Sequence, residues 1–163
     1  MKNGTENQKG IIVTDNAGTV HGYARCSTNE TRQDIDRQVR ELRAAGATVI
    51  WQEYEHGDAE AKEQQNMMWD TVYPGDTIVV TEPSRLSRSV QQFCQIVETI
   101  KSKRIRLQIL GSITIDCRTT EPDPMTVAFL QLIAVFSELE LSMIRARVRS
   151  GVANARAKGK QLG

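Results

Sequence analysis

An arginine and a serine lie two residues apart in the segment YARCST, at residues 23–28. Alternate residues of a β-strand share one face, so a strand here places Arg25 and Ser27 together and turns Cys26, interpreted as a small packed residue, to the other side. A serine hydroxyl can attack a phosphodiester, and a guanidinium can bind that phosphate through two hydrogen bonds and offset its charge. The pair therefore points to phosphoryl transfer. Alternation is also the default of a half-buried strand, so on its own the segment is better explained by ordinary structure.

Two further arginines follow a second predicted strand. The apolar run at residues 77–81 predicts a buried parallel strand, and Arg85 and Arg88 come shortly after its end. Ligands of open α/β sheets bind at the carboxyl ends of the strands. If the three arginines converge on the serine, they can support phosphoryl transfer by positioning and electrostatics alone. The alternative is that Arg85 and Arg88 are solvated loop charges.

The elements that would position these residues alternate between strand and helix. Apolar residues at helical spacing predict helices around residues 35–42, 67–72 and 90–100, and strands are predicted at 47–51 and 105–109. Ser and Gln at the start of the third helix have the spacing of a capping box. This order of elements predicts an α/β fold with a mainly parallel central sheet flanked by helices.

One long helix is predicted from Met125 onward, with no proline inside it. Its apolar residues recur at steps of three and four, and the stripe is too long to be buried against a single sheet. The pattern therefore indicates a partner; an ordinary core-packing helix is the alternative.

The end of the chain is strongly basic. Residues 141–163 carry a charge of +6 and no acid, although the whole chain carries +1. Such a segment can neutralise DNA phosphates without reading bases, or it can be a solvated helix face. The basic residues are Arg145, Arg147, Arg149, Arg156, Lys158 and Lys160.

Composition is that of one intracellular domain. The 163 residues suit a single core, and neither an uninterrupted apolar run of about eighteen residues nor a leader is apparent. Three cysteines without metal-like spacing and two histidines predict neither a disulfide framework nor a zinc site. We therefore expect a cytoplasmic protein with no membrane contact, no metal and no cofactor.

Several short motifs, in this order and spacing, resemble the catalytic domain of serine recombinases of the resolvase/invertase group. The resemblance covers about residues 20–163 and rests on the order of the motifs more than on any one of them. The motifs are YARCST at 23–28, Gln38, the Gly75-Asp76 pair, RLSR at 85–88 and AKGK at 157–160.

The resemblance implies a role for each matching residue. Ser27 is the expected nucleophile, which forms a phosphoserine link to one DNA end and leaves a free hydroxyl on the other. Arg25, Arg85 and Arg88 are expected to hold the scissile phosphate. The expected supporting positions of the active site are Tyr23, Gln38, Glu53, Lys62, Ser84 and Glu140.

Five positions depart from the family pattern. Lys62 lies where the family usually has an arginine, and Ser84 replaces an aspartate that would donate a proton or orient an arginine. Ser87 lies where the family usually has a glycine. Leu141 replaces an arginine that faces the phosphate, and His56 lies where serine is common. The serine and the three central arginines are retained, so the activity is still expected.

The resemblance also implies an organisation and partners. Residues 1–18 are an extension of unknown role, 19–124 the α/β catalytic domain, and 125–163 a long helix that joins protomers and ends in a DNA-contacting arm. The expected partners are double-stranded DNA and a second copy of the chain, with a tetramer in the synaptic complex. After Gly163 the family normally continues into a helix-turn-helix domain, which this sequence lacks. The predicted dimer interface consists of Phe129, Leu132, Ile133 and Phe136.

Two other classes of protein remain open. A non-catalytic DNA-binding or assembly module would keep the basic helix and could dispense with Ser27. A small-molecule phosphotransferase would need a glycine-rich phosphate loop or metal-binding carboxylates, and no GxxxxGK[ST] pattern occurs. Of these three classes, only a serine recombinase is expected to form a covalent serine–DNA adduct.

Overall fold

The computed structural model describes residues 18–55 and 62–159. Its centre is a five-stranded sheet in the order β2-β1-β3-β4-β5. The first four strands are parallel, which confirms the predicted mainly parallel α/β sheet, and β5 is an antiparallel edge strand that the sequence pattern did not predict. The strands are β1 (Val20–Cys26), β2 (Val49–Tyr54), β3 (Thr77–Val80), β4 (Arg106–Ile109) and β5 (Thr114–Asp116).

Four α-helices accompany the sheet. The three predicted within the α/β region are present, and the long C-terminal helix is confirmed. A short 3₁₀ turn at Pro83–Arg85 follows β3. The helices are α1 (Arg32–Ala44), α2 (Glu63–Thr71), α3 (Val90–Lys103) and α4 (Pro124–Ala157).

The link from α1 to β2 explains why β2 begins two residues later than expected. Gly46 has a φ of +99°, a conformation that favours glycine, and it follows the last turn of α1. The N–H of Ala47 then donates to the carbonyl of Leu42 at 3.0 Å. Ala47 is therefore used to close the helix, and the strand starts at Val49.

The two faces of the sheet are covered by different helices. Small residues of β1 face α1: a Cβ on Gly22 would lie 3.1 Å from the Cβ of Leu42, so glycine permits this close approach. The opposite face holds the larger apolar cluster, to which α2, α3 and the start of α4 contribute. Tyr23 belongs to that cluster and Ala24 to the smaller one, as the strand alternation predicts.

Among the described residues, the first part of α4 packs into the core of its own domain, and the helix borders a cavity beside α3 as far as Ile144. Asp123 caps the helix, because its side chain accepts hydrogen bonds from the N–H groups of Met125 and Thr126. Phe129 packs edge-on against Phe93, with ring centroids 6.4 Å apart. Ile133 is buried in the main core. Two of the four predicted interface residues thus also pack within the chain: Ile133 is buried and Phe129 is half-buried, because one side of the apolar stripe attaches the helix to the domain. The dimer interface stays a prediction.

The rest of α4 exposes a long apolar surface, which includes Leu132 and Phe136. An 18-residue window of this helix has a mean hydropathy of 1.8 and is 6% buried, so by length and composition alone it would pass as a membrane span. The same test is passed by helices of proteins that never enter a bilayer, and this surface also suits a protein partner. We call its exposed residues the apolar face: Leu132, Val135, Phe136, Leu139 and Met143.

Candidate active site

The predicted motifs meet at the carboxyl edge of the sheet. Strand β1 ends at Cys26, so Ser27 is the first residue beyond it. On one side, β2 pairs with β1 up to Tyr54, and the next N–H, that of Glu55, donates to the carbonyl of Cys26 at 3.0 Å. On the other side, β3 leads into the turn that carries Arg85. Because β1 lies between β2 and β3 in the sheet, Ser27 lies between the segment that follows β2 and the segment that follows β3.

Gln38 holds the backbone of the catalytic strand. Pairing between β1 and β3 stops at Gly22, which leaves the backbone of Arg25 without a strand neighbour on that side. The buried amide of Gln38 replaces the missing strand: its Oε1 accepts from the N–H of Arg25 at 3.2 Å, and its Nε2 donates to the carbonyl of Arg25 at 3.0 Å. The predicted supporting residue Gln38 thus acts on the main chain two residues before Ser27.

Arg25 points into a buried network of acceptors. Its Nη1 donates to Oε1 of Glu55 at 2.7 Å, and its Nη2 donates to the backbone carbonyl of Ser84. Ser84 itself is exposed and contributes this carbonyl, not its hydroxyl, to the guanidinium. The departure from the family pattern at Ser84 therefore leaves the orientation of Arg25 intact.

Arg85 ties the turn after β3 to the end of β1. Its Nη1 donates to the carbonyl of Arg25 at 3.1 Å and to Glu30 at 2.8 Å, and its Nη2 donates to Glu82 at 2.8 Å. Two glutamates therefore orient the guanidinium of Arg85. Hydrogen bonds from the N–H of Ser27 and from Arg85 hold the pKa of Glu30 below its usual value.

Glu55 joins the two remaining guanidinium groups. Its second oxygen accepts from Nη2 of Arg88, so one carboxylate bridges Arg25 and Arg88. Burial alone would raise the pKa of Glu55, but the hydrogen bonds from both arginines lower it overall. The Glu55 side chain is 6% exposed, whereas that of Arg88 is 57% exposed. The Arg88 side chain is therefore accessible to solvent, whereas Glu55, which binds it, is buried.

Helix α3 begins immediately beside Arg88. The hydroxyl of Ser89 accepts from the N–H of Gln92 at 3.1 Å, as the capping pattern predicts. The Gln92 side chain, however, accepts from the N–H of Arg88 at 2.9 Å instead of the N–H of Ser89. In a capping box, the glutamine side chain would accept from the N–H of Ser89. Here it accepts from the N–H one residue earlier, and this bond fixes the backbone of Arg88.

Ser27 opens onto solvent. It is half-buried, and its N–H donates to Glu30 at 2.9 Å. It lines an open cavity of about 400 Å³. The other lining residues are Cys26, Thr28, Glu30, Arg32, Tyr54 and Glu55.

Cys26 is not the reactive group of this cavity. Burial, followed by the negative charges of Glu30 and Asp34, raises the pKa of its thiol. The attacking form of cysteine is the thiolate, which this environment disfavours. The sequence interpretation of Cys26 as a small packed residue agrees with its burial and raised pKa.

Three predicted supporting residues, Tyr23, Glu53 and Lys62, lie close enough to interact electrostatically with one another or with Arg25. Tyr23 is fully buried, and burial together with Glu53 raises the pKa of its phenol, so the hydroxyl stays neutral. Glu53 accepts from the N–H of Gln65 at 3.0 Å and thereby holds the start of α2. The Nζ of Lys62 is buried and has no hydrogen-bond partner among the described residues.

The Lys62 ammonium is buried near two guanidinium groups and two carboxylates. Burial and the charges of Arg25 and Arg88 lower the pKa of its ammonium. A cavity of about 330 Å³ is lined by Lys62, Glu55, Arg88 and Gln92. A lysine at this position differs from an arginine because it can lose its proton.

Glu140 is the predicted site residue that lies apart from the others. It lines a cavity between α3 and α4 together with Gln91, Cys94 and Glu98. It makes no hydrogen bond or ion pair with Ser27 or the three arginines within the parts of the chain that the structure describes. A supporting role for Glu140 remains a prediction.

Three glutamates that organise the arginines were not predicted from the sequence. Glu30 and Glu82 each lie three residues from a motif residue, Ser27 and Arg85 respectively, and Glu55 directly follows β2. Acids within one turn of a basic motif are a signal that could have identified the first two. Across residues 18–55 and 62–159, no group of three potential metal-ligating side chains occurs.

The geometry defines a class of site. A serine at a strand end is open to solvent and shares its cavity with Glu30 and Glu55, the carboxylates that bind the three guanidinium groups. Such a site is suited to attack on a phosphate. A family profile described as "Resolvase, N terminal domain" matches residues 20–161. The chain therefore belongs to the resolvase family.

Relatives support the same assignment. A resolvase of Clostridium perfringens is 32% identical over 87% of this chain and 74% of its own length. The Tn1546 resolvase of Enterococcus faecium is 30% identical over 87% of this chain and 72% of its own length. The DNA-invertase of Escherichia phage P1 is 30% identical over 85% of this chain and 71% of its own length.

A solved structure shares the fold. The resolvase-family site-specific recombinase of Streptococcus pneumoniae superposes with a TM-score of 0.57, covering 85% of this chain and 99% of that one, at 16% identity. This likeness supports the arrangement of the sheet and helices.

Proposed function

We propose that this chain is a serine site-specific recombinase of the resolvase/invertase type, and that Ser27 is its nucleophile. The observation that carries the proposal is the hydrogen bond from Arg85 to the carbonyl of Arg25, which joins two motifs that lie 60 residues apart. Arg88 reaches the same cluster through Glu55. A solvated-loop interpretation of Arg85 does not explain its burial.

The proposed chemistry is transesterification. The Ser27 oxygen forms a bond to the phosphorus of a DNA phosphodiester, and the bond from phosphorus to one sugar oxygen breaks. The serine proton is lost and the departing sugar oxygen gains a proton, so one DNA end is left with a free hydroxyl. Rejoining is the reverse attack by a hydroxyl on the phosphoserine. The number of phosphoester bonds is conserved, so the exchange requires no cofactor as an energy source.

Arg25, Arg85 and Arg88 serve in this proposal as the groups that hold the phosphate and stabilise its developing charge. Tyr23 contributes a neutral hydroxyl beneath them, and Lys62 an ammonium close to the guanidinium groups. Because all of these groups are organised by the sheet and its glutamates, little rearrangement of the backbone is needed at the moment of reaction.

The apolar face of α4 is proposed as the dimer interface. Leu132 and Phe136 are exposed at 51% and 42%, and together with the rest of the face they form a continuous stripe along the helix. Such a surface is stabilised when a second copy covers it. Two dimers on two DNA segments would form the synaptic tetramer.

The second half of α4 is proposed as the DNA arm. We call residues 145–160 the basic arm; its described cations are all exposed, and Lys160 lies outside the described residues. Neutralising DNA phosphates with exposed cations releases counterions and supplies affinity that is independent of sequence. The described cations are Arg145, Arg147, Arg149, Arg156 and Lys158.

An intracellular, cytoplasmic location belongs to the same proposal. Cys26, Cys94 and Cys117 are all buried and free, a state that a reducing compartment preserves.

The test is covalent capture. The chain is incubated with a supercoiled plasmid library of random inserts and the reaction is stopped with detergent. We expect a protein–DNA adduct that survives detergent, and a peptide that carries a nucleotide phosphate on Ser27 by mass spectrometry. DNA binding without any adduct would instead favour a non-catalytic DNA-binding module. An adduct on another residue would exclude Ser27 as the nucleophile.

A further inference from the structure

All three central guanidinium groups have carboxylate partners within the chain. Arg85 is bound by Glu30 and Glu82, and Arg25 and Arg88 share Glu55. A phosphate that binds these arginines must therefore compete with an anion of the protein.

Glu55 resembles a bound phosphate more closely than the other two glutamates do. It is the most buried of the three, and each of its two oxygens meets a different guanidinium. The two non-bridging oxygens of a phosphodiester would make the same pair of contacts. The backbone N–H of Glu55 donates to the carbonyl of Cys26, so the backbone of Glu55 is fixed beside Ser27.

The position of Glu55 also separates two cavities. It lines the cavity of Ser27 on one side and the cavity of Lys62 and Arg88 on the other. Lys62 lines that second cavity, and its buried ammonium has no hydrogen-bond partner among the described residues. A carboxylate released from the arginines would find a cation there.

We propose that Glu55 is a built-in substitute for the scissile phosphate. It holds Arg25 and Arg88 in their binding positions when DNA is absent, and it moves toward Lys62 when a phosphate takes its place. The two anions cannot share the arginines, because like charges at that separation repel strongly in a partly buried site. This inference rests on the proposed function, in which Arg25 and Arg88 bind the DNA phosphate.

Inorganic phosphate is the probe that tests the displacement. The 163-residue chain is titrated with phosphate at constant ionic strength, and the arginine side-chain resonances are followed by NMR. We expect Glu55→Gln to bind phosphate at least tenfold more tightly than the unaltered chain. The matched control is Glu41→Gln, which makes the same change in charge on an exposed pair with Arg37 and should leave the affinity unchanged.

The gain in phosphate affinity must depend on Arg25 and Arg88, the two arginines that lose their carboxylate partner in Glu55→Gln. Adding Arg88→Gln to Glu55→Gln should return the phosphate affinity to that of the unaltered chain. Equal affinity in Glu55→Gln and the unaltered chain would overturn the proposal, as would an equal gain in Glu41→Gln.

A second variant guards against misfolding, because Glu55→Gln leaves two buried guanidinium groups without their carboxylate. Glu55→Asp keeps the charge but is one methylene too short to bridge both arginines. It should bind phosphate more tightly than the unaltered chain by a measurable factor, and a folded Glu55→Asp with unaltered affinity would also refute the proposal.

The phosphate titration is independent of DNA and of Ser27. If no covalent adduct forms in the capture experiment but Glu55→Gln still gains phosphate affinity, the proposed function fails and the anion site remains. If the adduct forms and Glu55→Gln gains nothing, this inference alone fails.

Discussion

Arg85 and Arg88 should lose similar amounts of activity when replaced by alanine but very different amounts of stability. Both are assigned to the phosphate, and loss of one charge-stabilising donor typically slows a reaction about a hundredfold or more. Their structural environments differ, however. The Arg85 side chain is 10% exposed and bonded to three partners, whereas Arg88 is mostly exposed and its side chain has Glu55 as its one ion-pair partner among the described residues.

The stability cost follows from those contacts. The bond from Arg85 to the carbonyl of Arg25 contributes about 1 kcal/mol, and the charged bonds to half-buried Glu30 about 2 kcal/mol more. The pair with Glu82 is partly exposed and adds about 0.5 kcal/mol. Arg85→Ala should therefore lower the free energy of unfolding by about 3.5 kcal/mol. Arg88→Ala should cost less than about 1 kcal/mol, because Glu55 keeps its bond to Arg25.

Urea denaturation followed by circular dichroism measures the first quantity, and the rate of adduct formation measures the second. The slope of the unfolding free energy against urea should be the same in both variants, so that the midpoints can be compared directly. Equal stability losses in the two variants would refute the role of Arg85 as the tie between the two motifs. Adduct formation within about threefold of the unaltered rate, well short of the typical loss, would remove that arginine from the site.

Four further outcomes are expected. Ser27→Ala should abolish the adduct while DNA affinity stays within about threefold, because exposed cations supply most of that affinity; any remaining adduct excludes the assignment. Phe136→Glu should weaken self-association in sedimentation experiments, since the dimer would bury an unpaired carboxylate, and unchanged sedimentation would contradict the interface. Removing the first three arginines of the basic arm should lower DNA affinity and reduce the salt slope by about 0.9 for each DNA phosphate that is no longer neutralised, without changing sedimentation; an unchanged slope would make the arm a solvated face. Finally, the lowered pKa of Glu30 means that its contribution to stability is present above the unfolded value of 4.5 and is lost as the pH falls through the folded value. Urea midpoints should therefore drop below about pH 4.5, less steeply in Glu30→Gln; identical pH profiles would show that Glu30 contributes nothing.

The local pattern is enough to identify the elements that carry the site. Strand alternation places Tyr23 and Arg25 on the same side, and the rule for strand ends places Arg85 next to them. Both inferences hold because they depend on backbone geometry that every parallel sheet shares.

The position of Glu55 depends on information that is not local. The predicted strand at 47–51 ends before β2 does, so the pattern leaves Glu55 in a polar loop. What brings it beside Ser27 is the register of β2 against β1, in which Tyr54 is paired with Cys26. Register between parallel strands depends on the whole sheet, and no residue within the segment encodes it alone.

Ile133, which the sequence predicts at the dimer interface, is buried within the chain for a related reason. Apolar residues lie on more than one side of α4, so periodicity shows that the helix has two contacts without telling which side docks onto its own domain. That choice is made by the shape of the core around Phe93 and the other residues of α3.

The part of α4 beyond Ile144, the last residue that borders the cavity beside α3, makes the helix a lever. With a rise of 1.5 Å per residue, Lys158 lies about 21 Å along the helix from Ile144. A tilt of about 10° at that point would move Lys158 by about 4 Å, which is close to the 3.4 Å spacing along one DNA strand. If the basic arm binds DNA as proposed, small changes in how α4 packs are therefore amplified into shifts of the arm by about one nucleotide. A core substitution such as Ile133→Val would then alter where on the DNA the proposed arm binds.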